Sequence, residues 1–409
     1  MLRVLRHPVF ARLFAAQIVA LMGTGLLTVA LALLAYDLAG DRAGAVLGTA
    51  LTIKMLAYVG VSPLAAAVFA GLPRKAVLIG ADLVRAAAAL MLPFISEIWQ
   101  IYLLIFVLQT ASATFSPAFQ AAIPDVLRDE EAYTNALSLS RLAFDIETLV
   151  SPALAGGLLM VLSYNTLFLG TVVGFLASAL LILRTQLPPQ GEVRSRPFLD
   201  RLTRGTRLYL AEPRLRGLLA LNMAVAAVIA FVLVDTVVLV RAGSGGSESD
   251  VALALAAFGA GSMLVALVLP RVLRRVPDRM VMLTGGAGLS LLGLAYGLAM
   301  LAGVGAWGVL LVVWAGFGAL NAAVLTPAGR LLKRSSGPED RPALFTAHFA
   351  LSHACWLLAY PTAGLLGPVI GLPGTLLLLA AFAVVAVAVA VRVWPKDRAK
   401  TPASQSSSG

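Results

Sequence analysis

The sequence predicts an all-helical membrane protein whose twelve spans form two related six-helix bundles. Three observations point there: a charge-poor composition, a series of apolar runs long enough to cross a bilayer, and a repeat that halves the chain. Hydrophobic residues make up 60% of the 409 and charged residues 12%, against about 25% charged in soluble domains. Too little polar surface remains to cover a water-soluble fold. Leu376 to Val391 is apolar throughout, whereas a lipid-spanning barrel would show alternating runs of about ten residues.

At about 20 apolar residues per crossing, spans fall at 10–36, 44–71, 76–95, 99–124, 135–161, 165–184, 215–240, 251–273, 280–302, 306–332, 343–367 and 371–394. Arg3, Arg6 and Arg12 precede a long apolar run with no small-residue cleavage site, so the start reads as a first span and not a removable signal. One long polar interval, Thr185 to Arg214, interrupts the series. The chain therefore divides into a first bundle (1–184), a cytoplasmic linker (185–214), a second bundle (215–394) and a Ser/Pro/Lys/Gly tail (395–409) expected to be disordered.

Twelve spans place both ends and every even-to-odd connection on one side. That side collects Arg74 and Lys75, Arg128, the Arg184–Arg216 group, Arg271 to Arg279, Arg330 to Arg341 and Arg392 to Lys400. Arg42 and Arg241 fall opposite. Excess Lys and Arg mark the cytoplasmic side, so both termini are expected inside and the protein in the cell (inner) membrane. The same placement explains the net charge of +11 without a nucleic-acid partner. A lone cysteine, Cys355, leaves no disulfide framework.

The halves repeat at an offset of about 205–212 residues. His7-Pro8-Val9-Phe10-Ala11-Arg12-Leu13-Phe14 with Gln17 matches Glu212-Pro213-Arg214-Leu215-Arg216-Gly217-Leu218-Leu219 with Asn222. Leu72-Pro73-Arg74-Lys75 matches Val276-Pro277-Asp278-Arg279, Ser116-Pro117-Ala118 matches Thr326-Pro327-Ala328, and Pro152 with Gly156 matches Pro361 with Gly364. Two such halves around a midplane site are the organisation of major facilitator transporters.

Over nearly its whole length the chain resembles that superfamily. Arg12-Leu13-Phe14-Ala15-Ala16-Gln17, Ser62-Pro63, Leu72-Pro73-Arg74-Lys75 and Gly80-Ala81-Asp82-Leu83-Val84-Arg85 are similar to its drug- and siderophore-efflux, macrolide-efflux-like branch. Leu13 to Tyr36, Ala136 to Arg141 and Ser352-His353-Ala354-Cys355-Trp356 resemble its nickel-resistance exporters. The resemblance implies a proton-coupled secondary exporter, without cofactor, working as a monomer by alternating access. Its small-molecule or metal-ion substrate is expected to be a divalent transition metal such as nickel, the alternative being a drug or siderophore. A polytopic membrane enzyme or scaffold is the remote alternative. No Gly-x-x-x-x-Gly-Lys-Ser/Thr stretch occurs, so direct ATP use is not expected.

Two departures concern gating. The superfamily's turn after helix two carries Gly…Asp-Arg…Gly-Arg-Lys, but here those first positions read Ala66, Ala70 and Gly71, and Arg74 and Lys75 alone remain. The usual charge latch is therefore missing or rebuilt elsewhere. The helix-five exporter motif is partial, as Ser151-Pro152-Ala153-Leu154-Ala155-Gly156, where Pro152 and Gly156 still supply a bend and close packing. Asp82 and Arg85, an i,i+3 pair, complete the gating set as a structural latch.

Ionisable side chains within spans cost a few kcal/mol and mark pathways or proton relays. At 1.5 Å per residue, Asp145 and Glu147 sit roughly 15–18 Å into the fifth span, near midplane. Lys54 and His353 reach similar depth, Asn321 is near the middle, His348 is nearer the cytoplasmic mouth, and Asp235 is toward the outer side. Arg141 lies at i,i+4 from Asp145, where it either tunes a proton-carrying carboxylate or forms a permanent bridge with it. Asp145, Glu147 and Arg141 are thus the proton-coupling candidates. His353, His348, Asn321, Lys54, Asp235, Ser352, Cys355 and Gln109 are the substrate-binding candidates. Imidazole with carboxylate suits nickel, cobalt or zinc, which makes His353, Glu147 and Asp145 the candidate metal ligands. The acidic run Asp125, Asp129, Glu130 and Glu131 reads as a solvated start to the fifth span.

Overall fold

Apolar runs in lipid must satisfy their own backbone hydrogen bonds, and helices do so within a single segment. The computed structural model describes residues 2–39, 43–188, 197–240, 247–304 and 306–395. Arg42, Arg241 and nearly all of the 395–409 tail lie outside these residues. The first six helices are α1 (Pro8–Ala39), α2 (Ala43–Leu56, continuing through Ala57–Val61 and Ser62–Val68), α3 (Arg74–Met91), α4 (Ile98–Val126), α5 (Glu130–Leu159) and α6 (Tyr164–Leu183). A shorter amphipathic helix follows, α7 (Phe198–Ala211). The second set comprises α8 (Pro213–Val238), α9 (Glu248–Val272), α10 (Asp278–Leu301), α11 (Trp307–Leu325) with a short extension at Ala328–Arg334, and the long stretch Arg341–Val393.

That last stretch is two helices. Gly371 interrupts it at a φ of 73°, a conformation open to glycine at no steric cost. Residues 341–370 form α12 and residues 372–393 form α13. Ten helices among the described residues are long and apolar enough to cross a membrane; dividing Arg341–Val393 at Gly371 makes eleven, and α5, which carries Arg141, Asp145 and Glu147, brings the number to the expected twelve. The fifth starts at Glu130 and not at 135, because Asp129 caps it by accepting the Ala132 amide at 2.7 Å.

Helices α1–α6 pack against one another, as do α8–α13. Small residues set the closest approaches. A β-carbon on Gly174 of α6 would lie 2.7 Å from the Val19 carbonyl oxygen of α1. Gly261 and Gly318 likewise leave no room for a side chain between α9 and α11. Inside the first bundle, Asp82 and Arg85 pair, and the Arg85 guanidinium lies over Phe115 (4.2 Å) and Phe175 (4.5 Å). This pair ties α3 to α4 and α6, so it holds the first bundle together and takes no part in the contact between bundles.

The two bundles meet along two seams. At one, α5 packs on α9; at the other, α2 and α4 pack on α12. Arginines from α1, the α9–α10 turn and the end of α11 cluster at a single face, hereafter the basic face. There α7 bridges the bundles by touching α2 on one side and α8 and α12 on the other.

Candidate functional site

Midway along the α5/α9 seam, Arg141 holds Asp145 one turn away at 3.0 Å. Its Nε donates to Ser262 Oγ of α9 at 2.9 Å. One guanidinium therefore joins a carboxylate of its own helix to a hydroxyl of the other bundle. Asp145 is buried, and among the described residues its Oδ2 has no hydrogen-bond partner. Glu147 points another way: its Oε1 lies beside Gly25 of α1, inside the first bundle. Gln17 of α1 accepts from Ser140 Oγ nearby at 3.0 Å.

The α2/α12 seam is aromatic. Within α2, Pro63 has no amide to donate to the Val59 carbonyl, and the helix widens into a π turn at Ala57–Val61. From this turn Tyr58 reaches α12, with its ring 5.0 Å from Phe349 and 4.8 Å edge-on from His353. Phe349 and His353 lie 4.2 Å apart. His353 Nδ1 donates to the Phe349 carbonyl at 2.7 Å, which fixes the ring. Lys54 Nζ sits 5.6 Å from the Tyr58 centroid. Ser352 turns back on the Phe349 carbonyl. The seam thus presents three rings with a cation at their edge.

The expected metal centre is not assembled. His353 stands on one seam, Asp145 on the other, and Glu147 against α1. Among the described residues, no three His, Cys, Asp or Glu side chains lie close enough to hold a metal ion. Equal depth along separate helices does not place side chains on facing sides. His348 stacks on Tyr209 of α7 at 5.9 Å, with Nδ1 3.2 Å from the phenol oxygen. Cys355 is buried in the core of the second bundle, bonded to the Leu351 carbonyl. Asp235 of α8 is buried, with one oxygen near Gly367 of α12 and Oδ2 without a partner among the described residues. Asn321, one turn beyond the Gly318 contact, is buried with its carbonyl oxygen unsatisfied. Gln109 is half-buried on α4. Pro152 and Gly156 fall within α5, but their side-chain environment lies outside the described residues.

The latch that looked missing has been rebuilt at the basic face. Asp125, near the end of α4, receives Arg74 at 2.6 Å and, on its other oxygen, Arg341 from the start of α12. A second group mirrors the first. Arg330, just past the end of α11, approaches Glu130 of α5 at 2.9 Å and Asp278 of α10 at 3.1 Å, and Arg334 binds the same two acids. In the repeat Arg74 corresponds to Asp278. At that repeated position the sign is inverted: Arg74 shares one acid with Arg341, whereas Asp278 shares two arginines with Glu130. Arg274 with Glu131 at 2.9 Å, and Lys333 donating to the Leu127 and Arg128 carbonyls, add to the closure. Lys75 forms no ion pair among the described residues. The short-range reading of the acidic run accounted for Asp129, but Asp125 and Glu130 serve the latch. The available signal was the arginines after spans two and ten, Arg74, Arg330 and Arg334.

Comparisons with known proteins agree with this architecture. Residues 13–296 match the family described as Major Facilitator Superfamily. The chain is 28% identical over 257 residues to YfiS of Bacillus subtilis, an uncharacterized MFS-type transporter, covering 60% of this chain and 59% of that one. It is 27% identical over 188 residues to macrolide efflux protein A of Streptococcus pyogenes, covering 45% and 46%. The chain thus spans about half the length of the relatives it matches. Among solved structures, the human organic anion transporter MFSD10 superposes with a TM-score of 0.78 at 13% identity, covering 94% of this chain and 99% of that one. The transporter FucP in its outward conformation gives 0.73 at 15%, covering 95% and 99%. At such identities the likeness is one of fold.

Proposed function

Because the chain belongs to the major facilitator superfamily of membrane transporters, we propose that it exports lipophilic organic molecules by alternating access, driven by protons. The observation that carries the substrate class is the α2/α12 seam, where Tyr58, Phe349 and His353 form a ring cluster edged by Lys54. Aromatic faces bind flat or apolar groups through area and ring geometry. A relative named for macrolide efflux supports the same class. A nickel cargo would need several hard or borderline donors converging on one point, and the described residues supply no such set.

Proton coupling is supported by the way Arg141 is shared. While Asp145 is ionised, Arg141 is held between it and Ser262 of the opposite bundle. A proton on Asp145 weakens that hold and frees the guanidinium to leave Ser262. The charge state of a single carboxylate thereby acts on a seam that alternating access must open. The basic face is read as cytoplasmic from its Lys/Arg excess, so the latched form keeps the cytoplasmic side shut.

The test is transport in everted vesicles with a macrolide and lipophilic dye panel, beside nickel tolerance of the same cells. Expected are substrate-driven proton release for members of the panel and unchanged nickel tolerance. Raised nickel tolerance with no organic transport would overturn the reading.

A further inference from the structure

Beneath α7, at the basic face, lies a cavity of about 170 Å³ distinct from both seams' midplane groups. Its walls come from α2 (Ser62, Pro63, Ala66), α4 (Pro117) and α12 (Ala343, Ala347), with α7 as the lid. Most of the lining is apolar, but the charges on it are unevenly satisfied. Arg74 is taken by Asp125. Arg204 is held in a two-point pair with Asp340 at 2.6 and 2.8 Å, which raises its pKa further above an already high value. Arg201 makes no ion pair among the described residues, although the carboxylates of Glu339 and Asp340 share the lining, and its buried Nε has no hydrogen-bond partner among them. Ser62 of α2 is 1% exposed, and its hydroxyl has no hydrogen-bond partner among the described residues. Both residues line this mostly apolar hollow, and each carries a donor with no acceptor among the described residues, which is costly.

We propose that this cavity binds a small amphipathic organic anion, a carboxylate or sulfonate on a compact apolar body, with Arg201 and Ser62 as its donors. Both bundles and the linker helix contribute walls, so parting the bundles at the basic face dismantles the site. A ligand that binds only the latched form stabilises that form by mass action. The anion therefore restrains transport from a place other than the substrate seams. That consequence rests on the alternating-access reading above, whereas the binding does not.

The experiment uses the purified full-length chain in nanodiscs with 4-butylbenzoate as probe and 4-butylbenzamide as its neutral counterpart. Saturable binding of the benzoate is expected, at least tenfold weaker in Arg201→Gln, largely retained in Arg201→Lys, and weakened less in Ser62→Ala. Equal affinity for the amide, or undiminished benzoate binding in Arg201→Gln, overturns the proposal. A diazirine-bearing benzoate supplies a readout that needs no variant. Adducts competed by 4-butylbenzoate should map to 62–77, 198–206 and 338–347, and adducts spread over the lipid-facing spans overturn the site. If the benzoate binds there but the chain moves no organic substrate, the export reading fails and the site stands. If transport proceeds without benzoate binding, the site fails alone.

Discussion

Arg341 of the second bundle binds the same carboxylate, Asp125, that Arg74 of the first bundle occupies on its other oxygen. Both arginines are buried and Asp125 nearly so, with side chains 7%, 10% and 18% exposed. Removing the shared acid leaves two guanidinium groups uncompensated, which costs about 3–5 kcal/mol for a buried pair. Asp125→Asn should therefore unlatch the basic face. In a Cys355→Ser background, a cysteine replacing buried Thr346 should label much faster with maleimide when Asp125→Asn is added. Glu130 is 46% exposed, and exposed pairs contribute about 1 kcal/mol or less, so Glu130→Gln should raise labelling far less. Equal labelling in the two variants would show that the sign-inverted clusters do not differ in weight.

Asp145→Asn removes the titrating group but keeps its shape. Substrate-driven proton release in everted vesicles should fall to background while substrate exchange across the membrane persists. Arg141→Gln should impair both, because it also releases Ser262 of the other bundle. Undiminished proton release in Asp145→Asn would move the carrier role to another carboxylate, and Glu147 beside Gly25 is next in line.

Length and hydropathy made the spans legible because a helix in lipid closes its own hydrogen bonds. The Arg141–Asp145 contact was legible for a similar reason, since i,i+4 neighbours meet on any helix. Partners across the bundles were not. Ser262 lies 121 residues from Arg141, and Arg341 lies 216 from Asp125. Depth along a span, read from residue counts, says nothing of azimuth, and this separated His353 from Asp145 and Glu147. Tyr58 escaped notice because its aim depends on a widened turn, although Pro63 downstream was its visible cause.

The ring cluster and a metal site respond oppositely to a single change. His353→Phe keeps the contacts with Tyr58 and Phe349 but deletes the imidazole nitrogen. Organic export should survive it within a few-fold, whereas Tyr58→Ala should lower affinity by about two- to tenfold, as the roughly 0.5–1.5 kcal/mol of an aromatic pair implies. Dye binding by fluorescence in proteoliposomes checks both. Abolished export in His353→Phe, with Tyr58→Ala unaffected, would return His353 to a ligand role.

Helix α7 is docked on α12 by two contacts of different kinds. Gly205 lies against the Ala343 carbonyl with no space for a β-carbon, and four residues on Tyr209 reaches His348 at 3.2 Å. Overpacking a close contact costs about 1–3 kcal/mol, and losing one hydrogen bond costs about 1 kcal/mol. Gly205→Val should thus destabilise the chain more than Tyr209→Phe, as read by thermal unfolding in detergent. It should also expose α7 to limited proteolysis, because the helix cannot seat on α12 without the backbone approach. The stacking of Tyr209 on His348 survives in Tyr209→Phe, so that variant should keep α7 protected. Protection lost equally in both would mean that the hydrogen bond matters as much as the glycine contact in seating the helix.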